Sequence, residues 1–292
     1  MPDPLISVIV PVWNDERRIG QCIEALKRQS LGSDLFEIII VNNGSTDSTA
    51  AVVSSYAGVV LLHEPNPGSY TARNTGLAHA RGEYVAFTDA DCIPQRDWLE
   101  LGLRAVQGRT DIGIVAGRIV FCEPTGTYSR ACLNYDRHLS LRQEDYARDG
   151  LAITANWFSR RSILLENGGF DATMRSGGDH ALSRRVSKGG LRTIYLSTAA
   201  VAHPPRTNVT EIAARARRLV GGRWTAATGR LRLLRRMKTE TKKLVERSWR
   251  IARAKDLSFH ERVEVWGLLL HLWVIALVEL LRLQFGGVPA RS

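Results

Sequence analysis

The first strand and the first helix are encoded by residues 6–26, which have the sequence ISVIVPVWNDERRIGQCIEAL. Residues 6–12 are β-branched and almost wholly apolar, which is typical of a strand buried on both faces. Asn14 is then expected to cap a helix, because apolar residues recur at helical spacing at Ile19, Cys22, Ile23 and Leu26. A buried strand followed by an amphipathic helix is the repeating unit of an α/β protein.

The same alternation continues to residue 88. Further strands are predicted at 36–41 (FEIIIV), 59–63 and 83–88 (EYVAFT), with a weak helix ending near 56 and another at 69–80. Strands joined by crossover helices form a parallel sheet, and ligands of such sheets bind beyond the carboxyl ends of the strands. We therefore expect a functional site where three loops meet at that edge, beginning at Val12, Asn42 and Asp89.

The second half of the chain changes character near Pro205. Before it, strands are predicted at 112–121, 151–158 and 192–196, and a helix at 179–188. After the HPP segment at 203–205 the strand signals stop, and the chain is expected to be helical to its end. We predict two domains, an α/β domain at residues 1–205 and a basic and amphipathic helical extension at residues 206–292.

Composition and charge narrow the class of protein. The chain has 292 residues, of which 44% are apolar and 24% charged, so a full core can form and wholesale disorder is excluded. Four cysteines without CxxC spacing and a start without an export signal predict a cytoplasmic protein with reduced thiols.

The positive charge is concentrated in one segment. Residues 206–255 contain 16 Lys and Arg and 3 Glu, a net charge of +13. Because the whole chain has a net charge of +11, the remaining residues carry a net charge of −2. This pattern indicates a local anionic partner.

Two aspartates directly follow the predicted strand at 83–88. Asp89 and Asp91 can hold one hard divalent cation, because Mg²⁺ and Mn²⁺ prefer carboxylate oxygens and leave sites for substrate phosphates. The alternative is that both carboxylates merely cap the turn and the helix near Trp98. In the same way, Asn42 could pair with a nucleobase edge or form an Asx turn, and Arg73 could bind a phosphate or base or form a surface salt bridge.

Several segments together resemble the family 2 glycosyltransferases. They are VIVPVWND at 8–15, VNNGSTDST at 41–49, ARNTGLAHARGEYVAFTDAD at 72–91, and GGFD followed by GGDHALSRR within 168–185. The resemblance covers roughly residues 5–205. It implies a GT-A fold, which is Rossmann-like with a mostly parallel sheet flanked by helices, and transfer of a sugar from a nucleotide donor with inversion.

The resemblance also implies roles for individual residues. It places Pro11 and Val12 in the base pocket with Asn42, assigns Arg73 and Asp89 to the nucleotide sugar, Asp91 and His203 to a Mn²⁺ or Mg²⁺ ion, and Asp179 to the catalytic base. Without the resemblance, Asp179 could equally be a helix N-cap and His203 a structural histidine.

Two positions depart from the family pattern. Gly178 replaces a glutamate, and Asn42 replaces an aspartate, which leaves thymidine and guanosine donors open beside uridine.

Other residues are expected on the acceptor side. The resemblance places Asn156 and Trp157 there together with Gly178, although Trp157 could instead fill the core. Arg223 and Trp224 could also face the acceptor, because Val220-Gly221-Gly222-Arg223-Trp224 is similar to the QxxRW motif of processive synthases apart from Val220. We expect a non-processive enzyme.

The C-terminal extension predicts contact with a membrane surface. Residues 263–285 are long enough to span a bilayer, but Glu264, His271, Glu279 and Arg282 form a polar stripe along the predicted helix. An interfacial helix, or one packed on the catalytic domain, fits better. The basic segment before it suits an anionic cytoplasmic leaflet. We expect peripheral attachment to the inner face of the cell membrane, beside a lipid-linked acceptor.

The sequence therefore predicts a metal-dependent inverting glycosyltransferase that builds a cell-envelope glycan, polysaccharide or glycolipid. An inactive family member acting as a scaffold is a second hypothesis, because Gly178 lacks the family carboxylate. A nucleic-acid-binding protein that uses the Arg-rich tail is a third, disfavoured because the tail offers only Trp224 and Trp249 for base stacking. A nucleotidyltransferase is disfavoured because no glycine-rich, lysine-bearing loop follows the first strand.

Overall fold

The computed structural model describes residues 3–124, 126–225 and 231–288. The chain divides into two compact units. The first contains the chain up to Val120 together with Arg142–His203, and the second contains Phe121–Leu141 and the chain from Pro204 onward. The sequence predicts one boundary near Pro205, whereas the structure groups Phe121–Leu141 with the C-terminal helices, because apolar side chains of this segment pack among them.

The elements alternate between strand and helix in the first unit and are helical at the end of the chain. The strands are β1 (Ile6–Val12), β2 (Phe36–Asn42), β3 (Val59–His63), β4 (Tyr84–Thr88), β5 (Ile93–Pro94), β6 (Ile112–Phe121), β7 (Asn156–Arg160) and β8 (Arg192–His203). The helices are α1 (Ile19–Lys27), α2 (Thr49–Ser54), α3 (Ser69–His79), α4 (Trp98–Val106), α5 (Arg130–Leu139), α6 (Gln143–Arg148), α7 (Arg161–Glu166), α8 (Gly178–Lys188), α9 (Val209–Thr225), α10 (Arg232–Ala252) and α11 (Phe259–Gln284).

The described strands form one eight-stranded mixed sheet in the order β3-β2-β1-β4-β7-β6-β8-β5. The pairs β1–β2, β1–β4 and β2–β3 are parallel, as the sequence predicts. The pairs β4–β7, β6–β7 and β5–β8 are antiparallel. The carboxyl ends of β1, β2 and β4 therefore meet at one edge. The expected α/β fold is confirmed, with a parallel half and an antiparallel half.

Helices cover both faces of the parallel half of the sheet. Val8 and Val10 of β1 pack in one core cluster with the apolar face of α1, and Ile9, which points the other way, packs in a second cluster with Leu77 of α3. Gly76 allows this close approach of α3, because a Cβ atom there would lie 2.4 Å from Cγ2 of Ile9. Burial on both faces explains why β1 carries a nearly continuous apolar sequence.

Two local predictions are corrected. Asn14 does not cap α1, which begins after Arg18. The backbone of Asn14 is left-handed, with φ of 47°, and its Oδ1 accepts a hydrogen bond of 2.8 Å from the backbone N–H of Thr46. The strand predicted at 151–158 instead begins at Asn156. The side chain of Gln143 satisfies both backbone polar groups of Ile153, at 2.9 and 3.1 Å, so this segment needs no strand partner there.

The second unit is a packed group of helices. Apolar residues of α5, α9, α10 and α11 share one core cluster, which includes Cys132, Ile212, Ile251 and Val265. Helix α11 begins with a capping box, in which Ser258 and Glu261 satisfy each other's backbone N–H groups. One face of α11 is buried in this unit, and Glu279 on that face pairs with Arg282 at 2.7 Å.

Within the described residues, α11 alone is long and apolar enough to cross a membrane by length and composition. Its most apolar window has a mean hydropathy of 1.9 and is 39% buried within the protein. The opposite face carries exposed apolar residues at helical spacing, namely Val263, Leu270, Val274, Val278, Leu281 and Phe285. Helix α11 therefore has a second apolar face that this unit does not cover.

Candidate active site

The loops after β1 and β2 are joined at the carboxyl edge of the sheet. The backbone N–H of Asp15 donates to Oγ1 of Thr49 at 2.9 Å, and Glu16 accepts from the backbone N–H of Ser48 at 2.8 Å. Pro11 and Val12 lie at the end of β1, where Val12 is buried and in register with Asn42. These hydrogen bonds hold the two loops together beside the predicted base pocket.

Asn42 is buried, and its side chain stabilises its own loop. Its Oδ1 accepts a hydrogen bond of 3.0 Å from the backbone N–H of Ser45, which is three residues on, whereas an Asx turn would bond the backbone two residues on. The oxygen of Asn42 is therefore engaged within its own loop. A nucleobase could use that oxygen only by competing with this bond.

A partly buried ion pair lies at the end of β4. Nη2 of Arg73 is 2.6 Å from Oδ1 of Asp89, and Nη1 of Arg73 donates to the carbonyl of Ser69 at 3.2 Å. The Arg73 side chain is 6% exposed and that of Asp89 is 34% exposed, so Arg73 does form a salt bridge, but one that is buried on the arginine side. Burial raises the pKa of Asp89, an effect that the adjacent Arg73 opposes. Nε of Arg73 is buried and has no protein partner among the described residues.

Asp91 lies between two basic side chains. Its Oδ1 is 3.8 Å from Nε2 of His203, and its Oδ2 is 3.5 Å from Nη1 of Arg18. Donor atoms of Asp91, Cys92 and His203 all lie within 4.8 Å of one another. The structure thus brings together Asp91 and His203, which the resemblance assigns to a metal. It adds Arg18, whose only sequence signal is a basic pair in the loop after β1.

The chemistry of these donors suits a hard cation. Sulfur is a soft ligand that Mn²⁺ and Mg²⁺ disfavour, and burial raises the pKa of the Cys92 thiol well above its ordinary value. A carboxylate oxygen and an imidazole nitrogen remain from Asp91 and His203, with Asp89 adjoining. Mn²⁺ and Mg²⁺ accept such donors and complete their coordination with water or substrate phosphates. The residues present therefore fit the expected ion.

Asp179 lies in the first turn of α8. Its Oδ1 accepts hydrogen bonds from the backbone N–H of His180 at 2.9 Å and from the hydroxyl of Tyr70 at 3.3 Å. The N-cap of α8 is Gly177, so the alternative that Asp179 is the N-cap residue is wrong. Tyr70 precedes Arg73 by one turn of α3. A continuous set of contacts thus links Asp179 to Asp89 through this helix.

Tyr70 also explains the glycine at position 178. A Cβ atom on Gly178 would lie 2.8 to 2.9 Å from three atoms of the Tyr70 ring, which is closer than real Cβ contacts allow. The ring is stacked on Phe170 with centroids 5.8 Å apart, and burial raises the pKa of its hydroxyl, which stays a hydrogen-bond donor. The ring therefore occupies the space that a side chain at position 178 would need. Sequence reasoning missed Tyr70, which precedes the ARNTG segment.

Asn156 and Trp157 do not face an acceptor. Asn156 is fully buried, accepts from Nε1 of Trp98 at 2.8 Å, and donates to the carbonyls of Arg118 and Ala199 at 2.8 and 3.0 Å. Trp157 is also fully buried, in register with residues of β4 and β6. Both residues pack within the sheet, so their predicted place on the acceptor side is wrong. For Trp157 the structure shows the alternative, a role in the core.

Arg223 and Trp224 belong to α9 of the second unit. Arg223 pairs with Glu240 at 3.5 Å. Trp224 is buried, and the guanidinium of Arg232 lies 4.1 Å from the centre of its ring. These contacts give both residues a role in joining α9 to α10.

The contact between Gly178 and Tyr70 yields a stability prediction. Gly178→Ala forces the Tyr70 ring to move, so we expect the free energy of unfolding to fall by about 1–3 kcal/mol in urea unfolding. Gly267→Ala is the matched control, because Gly267 is exposed on α11 with no atom within 4 Å of its ideal Cβ position. The control should stabilise the helix by up to about 1 kcal/mol. Equal stability of the two variants would contradict this account.

Known proteins share both the sequence pattern and the fold. The model of the family described as "Glycosyl transferase family 2" matches residues 7–168. The glycosyltransferase AglE of Haloferax volcanii is 31% identical over 209 residues, which cover 70% of this chain and 68% of AglE. The mannosyltransferase PcManGT from Pyrobaculum calidifontis, solved with GDP-Man and Mn²⁺, has a TM-score of 0.64 at 21% identity and covers 96% of this chain and 88% of its own. The structure of TarS from S. aureus with UDP-GlcNAc has a TM-score of 0.55 at 18% identity, with 95% and 80% of the two chains covered. The chain belongs to glycosyltransferase family 2 and has the GT-A fold.

Proposed function

We propose that this glycosyltransferase transfers a sugar from a nucleoside diphosphate sugar to a hydroxyl acceptor, with inversion, assisted by Mn²⁺ or Mg²⁺, and with Asp179 as the base. The observation that carries the proposal is the linked arrangement of Asp91 with His203, Asp89 with Arg73, and Asp179 with Tyr70. All of these pairs belong to the first unit. A metal-binding pair and a separate carboxylate are the two groups that this displacement requires.

The cation would be held by Asp91 and His203, with Asp89 adjoining. When bound, such an ion supplies positive charge that stabilises the departing diphosphate. Arg18 supports the same task, since its guanidinium lies 3.5 Å from Asp91 and can donate charge-assisted hydrogen bonds to phosphate oxygens. Arg73 holds Asp89 in place and keeps a buried N–H beside the site.

Asp179 would take the proton of the acceptor hydroxyl. Among the described residues, the hydrogen bonds that Tyr70 and His180 donate to Asp179 both go to Oδ1, which fixes the carboxylate orientation, so we assign the proton to Oδ2. The acceptor oxygen forms a bond to the anomeric carbon while the bond from that carbon to the diphosphate breaks. The bonding electrons leave with the nucleoside diphosphate. One displacement without a covalent intermediate inverts the anomeric centre.

The donor base remains open between guanine and a pyrimidine. PcManGT was solved with GDP-Man and TarS with UDP-GlcNAc, and both share the GT-A fold with this chain. In this protein Oδ1 of Asn42 is already bonded to the backbone of Ser45. We infer that base selection depends on the loops after β1 and β2 rather than on this oxygen alone.

Asp179→Asn tests the base. The amide keeps the shape but cannot accept the proton, so we expect kcat for donor-sugar transfer to fall by about 10²–10⁴-fold, with nucleotide affinity unchanged. Release of nucleoside diphosphate from GDP- and UDP-sugars, with water as acceptor, provides the assay. Asp111→Asn is the control, because Asp111 is paired with Arg109 and Arg192 on the surface. Equal rates in both variants would exclude Asp179 as the base, and no release of nucleoside diphosphate by the wild type would favour the scaffold hypothesis.

Asp91→Asn tests the metal site. Removing the anionic ligand should weaken Mn²⁺ binding about tenfold or more, because one charged ligand is lost from a site with few protein ligands. Electron paramagnetic resonance of Mn²⁺ titrated into the protein with GDP or UDP measures this without any turnover. Asp111→Asn again serves as the control. Unchanged Mn²⁺ affinity of Asp91→Asn would remove Asp91 from the site.

We further propose that the second unit attaches the enzyme to the inner face of the cell membrane and that the acceptor is lipid-linked. The uncovered apolar face of α11 can enter the interfacial region of a bilayer, and the basic α10 favours anionic headgroups. This attachment would serve synthesis of a cell-envelope glycan, and it requires no nucleic acid partner.

Val274→Glu tests membrane attachment. Val274 is 46% exposed on the apolar face of α11, so a carboxylate there should lower partitioning onto vesicles containing phosphatidylglycerol about tenfold. Val60→Glu makes the same substitution at a valine that is 40% exposed on β3 of the first unit, and it should have little effect. Sedimentation with vesicles measures both. Equal loss in the two variants would show that net charge alone governs binding.

A further inference from the structure

A small cavity within the second unit is lined by an excess of cationic side chains. It lies among α5, α9, α10 and α11 and has a volume of about 40 Å³, which is room for about three waters or one phosphate group. Four lining residues are basic, namely Arg215, Arg223, Lys243 and Arg247, and Glu240 is the acidic residue among those that line it. Tyr135, Trp273 and aliphatic residues complete the walls.

The cavity's carboxylate is shared by two of these cations. Glu240 pairs with Lys243 and lies 3.5 Å from Arg223. Arg247 donates a hydrogen bond of 3.1 Å to the hydroxyl of Tyr135, and one of the contacts of Arg215 is a hydrogen bond of 3.1 Å to the hydroxyl of Ser140. The lining residues therefore carry three more positive than negative charges.

Burial distinguishes these charges from an ordinary solvated helix face. The side chain of Lys243 is 22% exposed, whereas that of its neighbour Lys242 is 76% exposed and points away into solvent. Burial, and then repulsion from Arg223, lower the pKa of Lys243 to about 8. Bringing several cationic side chains together in a partly buried region costs free energy unless an anion is bound among them. The arrangement is therefore suited to an anionic ligand.

We propose that this cavity binds the phosphate group of a ligand, either a free phosphate or the phosphate of a lipid headgroup. Arginine side chains present planar pairs of N–H donors that match phosphate oxygens, and the lysine adds a point charge. Lys243 and Arg247 lie one turn apart on α10 and point to the same side, so both can reach one anion. The proposal concerns the second unit alone and does not depend on the sugar-transfer proposal.

The test uses the full chain, with EDTA present to suppress metal-dependent nucleotide binding. Inorganic phosphate and pyrophosphate are titrated by calorimetry in one arm. In the other, the chain is sedimented with phosphatidylcholine vesicles, either pure or containing phosphatidic acid. Lys243→Gln removes a cavity charge, and Lys242→Gln removes the same charge from the same helix outside the cavity.

We expect Lys243→Gln to weaken binding about tenfold and Lys242→Gln to leave it nearly unchanged, because one charge-assisted hydrogen bond is lost only in the former. A loss confined to the titrations identifies free phosphate as the ligand, and a loss confined to vesicles with phosphatidic acid identifies the lipid headgroup. Equal losses in both variants, or no binding by wild type in either arm, would overturn the proposal. Thermal unfolding without phosphate checks that Lys243→Gln is folded, and its binding of GDP or UDP with Mn²⁺ checks the first unit separately.

The pH dependence gives a second readout. The groups that face Lys243 are Arg215 and Arg223 from α9, Glu240 and Arg247 from α10, and Tyr135 from α5; the described α11 residues in the lining are not titratable. Because the free lysine loses its charge as pH rises through about 8, wild-type affinity should fall at least about threefold between about pH 7.5 and about pH 9.5. Lys243→Gln should lack this fall, and a fall of the same size in the variant would contradict the role of Lys243.

Discussion

The ion pair between Arg73 and Asp89 is the interaction on which the site depends. Asp89 directly follows β4 at the edge of the sheet and is 34% exposed, and Arg73 reaches it from α3 with almost none of its own side chain exposed. Removing Asp89 would leave the buried guanidinium of Arg73 without its carboxylate partner, which destabilises this edge of the sheet. Because Tyr70 on the same helix contacts Asp179, α3 positions the loop after β4 and the proposed base together.

Position 178 shows how a departure from a family pattern can be accommodated by packing. The resemblance implies a glutamate before the base, but here the Tyr70 ring fills the space beside Gly178 and its hydroxyl donates to Asp179. A neutral donor, the hydroxyl of Tyr70, thus lies against Asp179. The glycine is explained by the ring that lies against it, which gives the scaffold hypothesis less support than the sequence alone did.

The basic tail is not one uniform charged surface. Lys242 and Lys243 are adjacent in the chain, yet one is in solvent and the other lines a cavity with three arginines. Helix α11 has two apolar faces, of which one is used by the core of the second unit and the other is exposed. Some of the basic and apolar residues seen in the sequence therefore pack inside the second unit, and the others remain exposed for binding.

The sequence by itself determined the elements whose pattern is local. The apolar run of β1, the spacing of α1 and the loop positions at Val12, Asn42 and Asp89 followed from periodicity, and the motifs identified the family. Only the tertiary structure decided that Asn156 and Trp157 brace the sheet, that Tyr70 contacts Asp179, and that residues 121–141 join the C-terminal helices. Periodicity reports which face of an element is apolar, whereas burial, hydrogen bonding and the sign of a local charge depend on residues that are distant in the chain and meet only when it folds.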